Sequence, residues 1–154
     1  CTTFVGQNNG AKDLGRCRKT LKVCLVEDAI VAITMILLVV WQGRTMLSIF
    51  SSDPAVLDIA YVHVCTIFPA YVFSMIYENM SGYLRGFGIS LLPSVLTALG
   101  VCGARFFWVL VVFPASPTFA TVMLAYPVSL GLTALLITGA LLYCKPGWGS
   151  AHPA

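Results

Sequence analysis

Three ionisable residues interrupt long apolar stretches of this chain: His63, Glu78 and Arg105. A charge at the centre of a bilayer costs about 3 kcal/mol on insertion scales, so ionisable side chains in such stretches mark ion or substrate pathways. We find no glycine-rich phosphate loop, nucleophile elbow, paired catalytic acids or metal-ligand spacing around them. The sequence therefore favours binding or transport, and we expect no enzyme activity.

The composition of the chain favours a lipid environment for these residues. Of its 154 residues, 58% are hydrophobic and 10% are charged, and the mean hydropathy is +0.89. A soluble fold would lack the polar residues to cover its surface. Spans of about 20 apolar residues are predicted at 24–50, 58–83, 89–113 and 119–144. We therefore predict an all-α, polytopic transmembrane bundle of four helices.

The basic residues predict how the bundle is oriented. Residues 1–23, the loop with Arg85 and the tail at 145–154 carry Lys or Arg, whereas the other two loops carry none, which places the basic segments in the cytoplasm. Arg44, near the end of the first span, is expected to snorkel outward. A helical pattern of apolar residues within 14–24 indicates an amphipathic helix on the inner membrane surface, with a solvated connector as the alternative.

Polar residues form a stripe on each of the middle two spans. At 100° per residue, each set falls within about 80° of its helix. The second span carries His63, Tyr71, Ser74, Glu78, Ser81 and Arg85, and the third carries Ser90, Ser94, Thr97, Arg105 and Trp108. Two such stripes indicate a shared, hydrated interior, although small polar residues can also serve to tie membrane helices together.

The last span contains Pro127, which is expected to bend it. Tyr126, Ser129 and Thr133 lie on one side of that bend, within about 60°. They could line the same cavity. Alternatively, the Ser129 hydroxyl satisfies a carbonyl that the proline frees.

Depth along the helices suggests partners for the charged residues. Glu78 is closest in depth to Glu27 and Asp28, and clustered carboxylates in a low dielectric tend to retain a proton. We therefore expect Glu78 to change protonation or to bind a cation. Arg105 matches His63 in depth, so its acidic or carbonyl partner is expected on a helix outside this chain.

Three stretches resemble the carboxy-terminal half of a multidrug and toxic compound extrusion (MATE) transporter: FVGQNNGAKDLGRCRKTLK at 4–22, ENMSGYLRGFGISLLPSV at 78–95 and AYPVSL at 125–130. The resemblance implies twelve helices in two lobes, of which these spans are helices nine to twelve. The amino-terminal lobe and helices seven and eight would lie outside this chain, in keeping with its lack of a starting Met. It also implies export of small organic compounds, cations among them, by alternating access.

The same resemblance implies roles for particular residues. Export would be coupled to H⁺ or Na⁺ without a cofactor, and some members carry a cation-binding acid at the position of Ser74. The acid here is one turn further on, at Glu78, which leaves the coupling ion open. Independently of the resemblance, Tyr71, Phe107 and Trp108 are candidate aromatic contacts for a substrate, with lipid or helix packing as the alternative. Residues 81–93 would be a cytoplasmic turn in which Gly82, Gly86 and Gly88 allow close turning, Arg85 holds the interface, and Pro93 begins the next helix.

Two other functions stay open at this point. A lipid-linked oligosaccharide flippase of the same fold group would use Arg105 in a cationic cavity. A four-helix membrane subunit would support partners without moving a solute. Multi-pass insertion in the plasma membrane, in bacteria the inner membrane, is expected for the transporter.

Overall fold

The computed structural model describes residues 1–146 and consists of one short helix and four long ones. Their bounds are α1 (Thr2–Gly10), α2 (Leu14–Leu47), α3 (Pro54–Gly86), α4 (Leu91–Ala115) and α5 (Phe119–Cys144). Each of α2 to α5 is long and apolar enough to cross a membrane. The prediction of an all-α fold with four membrane-spanning helices is confirmed. Residues 147–154, most of the predicted tail, lie outside the described residues.

The helices start at the turn signals of the sequence. Asp53 accepts a hydrogen bond from the Ala55 amide at 2.9 Å, and Pro54 occupies the first position of α3, where its missing N–H has no cost. The Thr118 hydroxyl similarly accepts from the Thr121 amide at 3.3 Å before α5. These N-caps explain why α3 and α5 begin directly after the two loops that lack basic residues.

The first long helix begins earlier than its predicted span. α2 starts at Leu14 and continues without a break past residue 24, so residues 14–23 are its first turns and do not form a separate interfacial helix. The side chains of Cys17 and Leu21 in these turns are buried. They pack with Val5 of α1 and with Tyr83 and neighbouring residues near the end of α3. The amphipathic pattern therefore reflects packing against protein.

The fourth helix is not a regular α-helix. Two π-helical segments, Ala98–Gly103 and Trp108–Val112, interrupt α4. A π turn takes more residues than an α turn, so each segment rotates the positions that follow it. The 100° rule that defines the polar stripe of this span therefore fails beyond Thr97.

The centre of the bundle is α3, which packs against α2 on one side and α5 on the other. Ala70 and Tyr77 of α3 meet Leu130, Ala134 and Ile137 of α5 in a buried cluster. Large apolar side chains elsewhere face outward, with Trp41 of α2 78% exposed. An outward apolar surface suits helices that are surrounded by lipid.

The predicted turning role of Gly82 and Gly86 was wrong. Gly82 lies inside α3, Gly86 is the last residue of α3, and of the three glycines only Gly88 has a positive φ, of 84°. A Cβ on Gly86 would lie 2.6 Å from Val5 Cγ1, and one on Gly82 would lie 3.1 Å from Thr2 Oγ1. The two glycines therefore let α1 approach α3 closely. Pro93 is buried in the first turn of α4.

Candidate functional site

The side chain of Arg105 is held against α5. Its Nε donates a hydrogen bond to Ser129 Oγ at 3.1 Å, and its guanidinium carbon lies 4.4 Å from the centre of the Tyr126 ring. Stacking over an aromatic face stabilises a guanidinium, most strongly where water is excluded. Two residues of α5 thus fix the position of a cation that is carried by α4.

His63 of α3 reaches the same part of α5. Its ring lies edge-on to Tyr126, with centroids 6.4 Å apart, and tilted against Phe119 at 5.8 Å. His63 Nδ1 is buried and has no hydrogen-bond partner in the described chain. We call His63, Arg105, Tyr126 and Ser129 the Arg105 cluster. Four residues that were predicted from three different spans therefore meet at one place.

The Ser129 hydroxyl does not donate a hydrogen bond to the carbonyl that Pro127 leaves without a donor. That proline leaves the carbonyl of Met123 without its usual donor, whereas the Ser129 hydroxyl donates to Tyr126 O at 3.0 Å. Its oxygen then accepts from Arg105. Thr133, one turn further, donates to Ser129 O at 2.7 Å and is fully buried. Thr133 is therefore a packing residue, and Ser129 positions the arginine.

Glu78 pairs with a cation on its own helix. Its Oε2 lies 3.6 Å from Arg85 Nη2, and Arg85 also donates to the hydroxyl of Ser81 at 2.8 Å. These three residues all belong to the predicted stripe of the second span. The Glu78 side chain is 57% exposed, so the pair lies at the surface of the described bundle.

The predicted carboxylate cluster does not form around Glu78. Asp28 instead accepts a hydrogen bond from the buried side chain of Asn79, which also donates to Met75 O at 3.1 Å. Among residues 1–146, no three His, Cys, Asp or Glu side chains gather closely enough to hold a metal ion. The carboxylate of Glu78 thus faces an arginine where the sequence predicted other acids.

The remaining predicted site residues lie apart from the Arg105 cluster. Ser74 donates to the Tyr77 hydroxyl at 3.3 Å within α3. Tyr71 is 49% exposed and contacts Phe68. Trp108 donates through Nε1 to Thr121 O at 2.8 Å, which joins α4 to the start of α5. Of the two polar stripes, His63, Arg105 and Trp108 contact α5.

Comparison with known proteins identifies the family. A family model described as MatE matches residues 1–111, which is most of the chain. The chain belongs to the MATE family. It is 27% identical over 104 residues to a probable multidrug resistance protein NorM of Thermotoga maritima. That match covers 68% of this chain and 22% of the relative, so the chain spans only a small part of the relative's length. No solved structure matches significantly.

MATE membership makes the chain a multi-pass membrane protein of a transporter family, which accords with the expectation that it is not an enzyme. It does not favour the flippase or the non-transporting subunit. At the position of Ser74, where some MATE proteins carry an acid, the hydroxyl is bound within α3. The nearest acid along the helix is Glu78.

Two polar contacts were not predicted from the sequence. Arg44 Nη2 donates to Asp58 Oδ1 at 2.8 Å, and the guanidinium carbon of Arg44 lies 5.3 Å from the Tyr61 ring centre, while the arginine side chain stays 69% exposed. The short loop between α2 and α3 could have predicted this ion pair, since it brings Arg44 and Asp58 to one end of the bundle. The bond between Asn79 and Asp28 had no comparable signal, because the two residues are far apart along the chain.

Proposed function

We propose that this chain forms the carboxy-terminal part of a MATE secondary antiporter, in which its four helices act as helices nine to twelve. The transporter exports small organic compounds by alternating access and is driven by H⁺ or Na⁺, without a cofactor. Family membership supports the general class. The remaining helices of the two lobes complete the transporter, which resides in the plasma membrane, in bacteria the inner membrane.

The observation that carries this proposal is the meeting of α3, α4 and α5 at the Arg105 cluster. Polar side chains inside membrane bundles line cavities or pathways. The cluster lies beside Pro127, where α5 lacks one backbone hydrogen bond, and Arg105 stands between the two π-helical segments of α4. Such irregular segments are where membrane helices bend. In our proposal, bending there exposes the cluster alternately to the two sides.

Glu78 is the proposed coupling residue. It lies on α3, in a pair with Arg85 at the end of the helix that our orientation places in the cytoplasm. Binding of H⁺ or Na⁺ at the carboxylate weakens that pair and releases Arg85. Such a local change in charge can bias an equilibrium between two conformations.

The test is efflux from proteoliposomes that contain the complete transporter, with a proton gradient or a sodium gradient imposed separately. Glu78→Gln should abolish efflux driven by the coupling ion. Glu27→Gln is the matched control, because Glu27 is an exposed acid in α2 and should retain efflux. Undiminished efflux by the Glu78 variant would remove Glu78 from the coupling mechanism. Absence of efflux by the wild type under either gradient would refute the proposed function itself.

A further inference from the structure

The positive charge of Arg105 has no acidic partner among residues 1–146. The chain has six acidic residues, and all of them fall within residues 1–146. Three form ion pairs with other arginines: Asp13, Asp58 and Glu78. Asp28 bonds Asn79, Asp53 caps α3, and Glu27 forms no ion pair. Arg105 is therefore a cation within a predicted membrane span that the described part of the chain leaves unneutralised.

The contacts of Arg105 orient its guanidinium and leave part of it available. Tyr126 covers one face of the guanidinium, and Ser129 Oγ accepts a hydrogen bond from Nε. The two Nη groups donate no hydrogen bond to any residue of the described chain. The single proton of the Ser129 hydroxyl is already donated to Tyr126 O, so Ser129 cannot donate to a ligand. An incoming anion must therefore bind at the Nη edge, whose planar geometry matches a carboxylate.

Aromatic rings lie beside Arg105 in this part of the bundle. Tyr126 contacts both Arg105 and His63, and the His63 ring also contacts Phe119. His63 Nδ1 adds a buried polar atom without a partner in the described chain. Rings next to a cation suit a ligand that has a flat apolar body and an anionic group, because the ring stacks while the guanidinium binds the charge.

We infer that the Arg105 cluster binds the carboxylate of an aromatic organic anion or zwitterion. This inference rests on the proposed export function and narrows its substrate class from small organic compounds in general. The carboxylate neutralises Arg105 at its Nη edge, and the ring of the ligand lies among Tyr126, His63 and Phe119. Arg105 is thus a specificity residue for substrates with a negative group.

The experiment uses the complete transporter and three probes: benzoate, its neutral isostere benzamide, and the cation ethidium. Binding is measured by calorimetry on the detergent-solubilised protein, and export is measured in proteoliposomes. We expect the wild type to bind benzoate in preference to benzamide. Arg105→Gln should weaken benzoate binding by about tenfold or more, as expected for loss of a charge-assisted bond, and should abolish the preference for benzoate over benzamide.

Two further variants control for the fold and for charge alone. Arg105→Lys keeps the charge but loses the planar edge, so its benzoate affinity should fall between those of the wild type and Arg105→Gln. Arg44→Gln removes an arginine that is paired with Asp58 outside the cluster and should leave benzoate binding unchanged. If Arg105→Gln does not fold, the benzoate affinity of Arg105→Lys and the comparison of benzoate with benzamide on the wild type still test whether Arg105 binds the carboxylate.

Several results would overturn the inference. One is equal binding of benzoate and benzamide by the wild type, as expected if an acid from another helix already neutralises Arg105. Others are a preference for benzoate over benzamide in Arg105→Gln that equals that of the wild type, or preferential binding of a prenyl phosphate, which would indicate a lipid-linked ligand. These outcomes differ from failure of the proposed function, because that failure would appear as no export of either probe by the wild type.

Discussion

Replacing Gly100 by alanine should weaken the packing of α4 on α5. A Cβ at this position would lie 2.4 Å from Thr133 Oγ1 and 3.0 Å from Thr133 Cα. Overpacking costs about 1–3 kcal/mol, and a rotamer change cannot move a Cα, so we expect about 2–3 kcal/mol here. The higher helix propensity of alanine offsets roughly 0.5–1 kcal/mol of this packing cost. The net loss in the free energy of unfolding is therefore about 2 kcal/mol.

The assay is unfolding of the protein in mixed micelles by titration with sodium dodecyl sulfate, followed by circular dichroism. Gly103→Ala is the matched control, because Gly103 lies in the same π-helical segment and a Cβ there meets nothing within 4 Å. It should be neutral or stabilising by up to about 1 kcal/mol. Thr133→Ala in the Gly100→Ala background should recover part of the loss, since it removes Oγ1 but not Cα. Equal unfolding midpoints for the two glycine variants would refute the packing argument.

Two further changes test the end of the bundle where α1 packs. Gly86→Ala should detach α1, because the new Cβ would lie 2.6 Å from Val5 Cγ1. Amide hydrogen exchange in α1 should then accelerate, and adding Val5→Ala should partly restore its protection. Unchanged exchange in Gly86→Ala would contradict the assigned contact. Asn79→Ala should lower the free energy of unfolding by about 1.5–3 kcal/mol, the range for hydrogen bonds to charged groups, because it removes the donor to Asp28. Asp28→Asn keeps an acceptor and should cost less; a larger loss for Asp28→Asn than for Asn79→Ala would be the contrary result.

The four long helices could be predicted from the sequence because the bilayer restricts the choice. Every backbone polar group must be satisfied within a spanning segment, so a long apolar run becomes a helix. Proline and glycine then locate the loops. The start of α2 could not be predicted in this way, since the pattern that includes Cys17 and Leu21 is the same whether its apolar face meets lipid or protein. Only the position of α1 decides between them.

The candidate site was partly predictable for a similar reason. Depth along straight helices placed Arg105 level with His63, and both residues contact Tyr126. Which face of α4 carries Arg105 could not be derived, because the π-helical segment before it changes the rotation per residue. The expected group of acids around Glu78 failed for another reason. Arg85, two turns along the same helix, lies near enough to pair with it.

Separation of the two proposed sites limits how coupling can work. Glu78 lies fifteen positions after His63 on α3, which corresponds to about 22 Å along a straight helix. Ion and substrate therefore cannot compete for one group, and coupling must proceed through movement of the helices. Between the two sites, Ala70 and Tyr77 of α3 pack against the buried part of α5 that follows the Arg105 cluster. A change at Glu78 that shifts α3 against α5 would thus alter the cluster. Coupling and substrate affinity should then be separable: in Glu78→Gln the benzoate affinity should no longer respond to the coupling ion, whereas Arg105→Gln should weaken benzoate binding whether or not the ion is present.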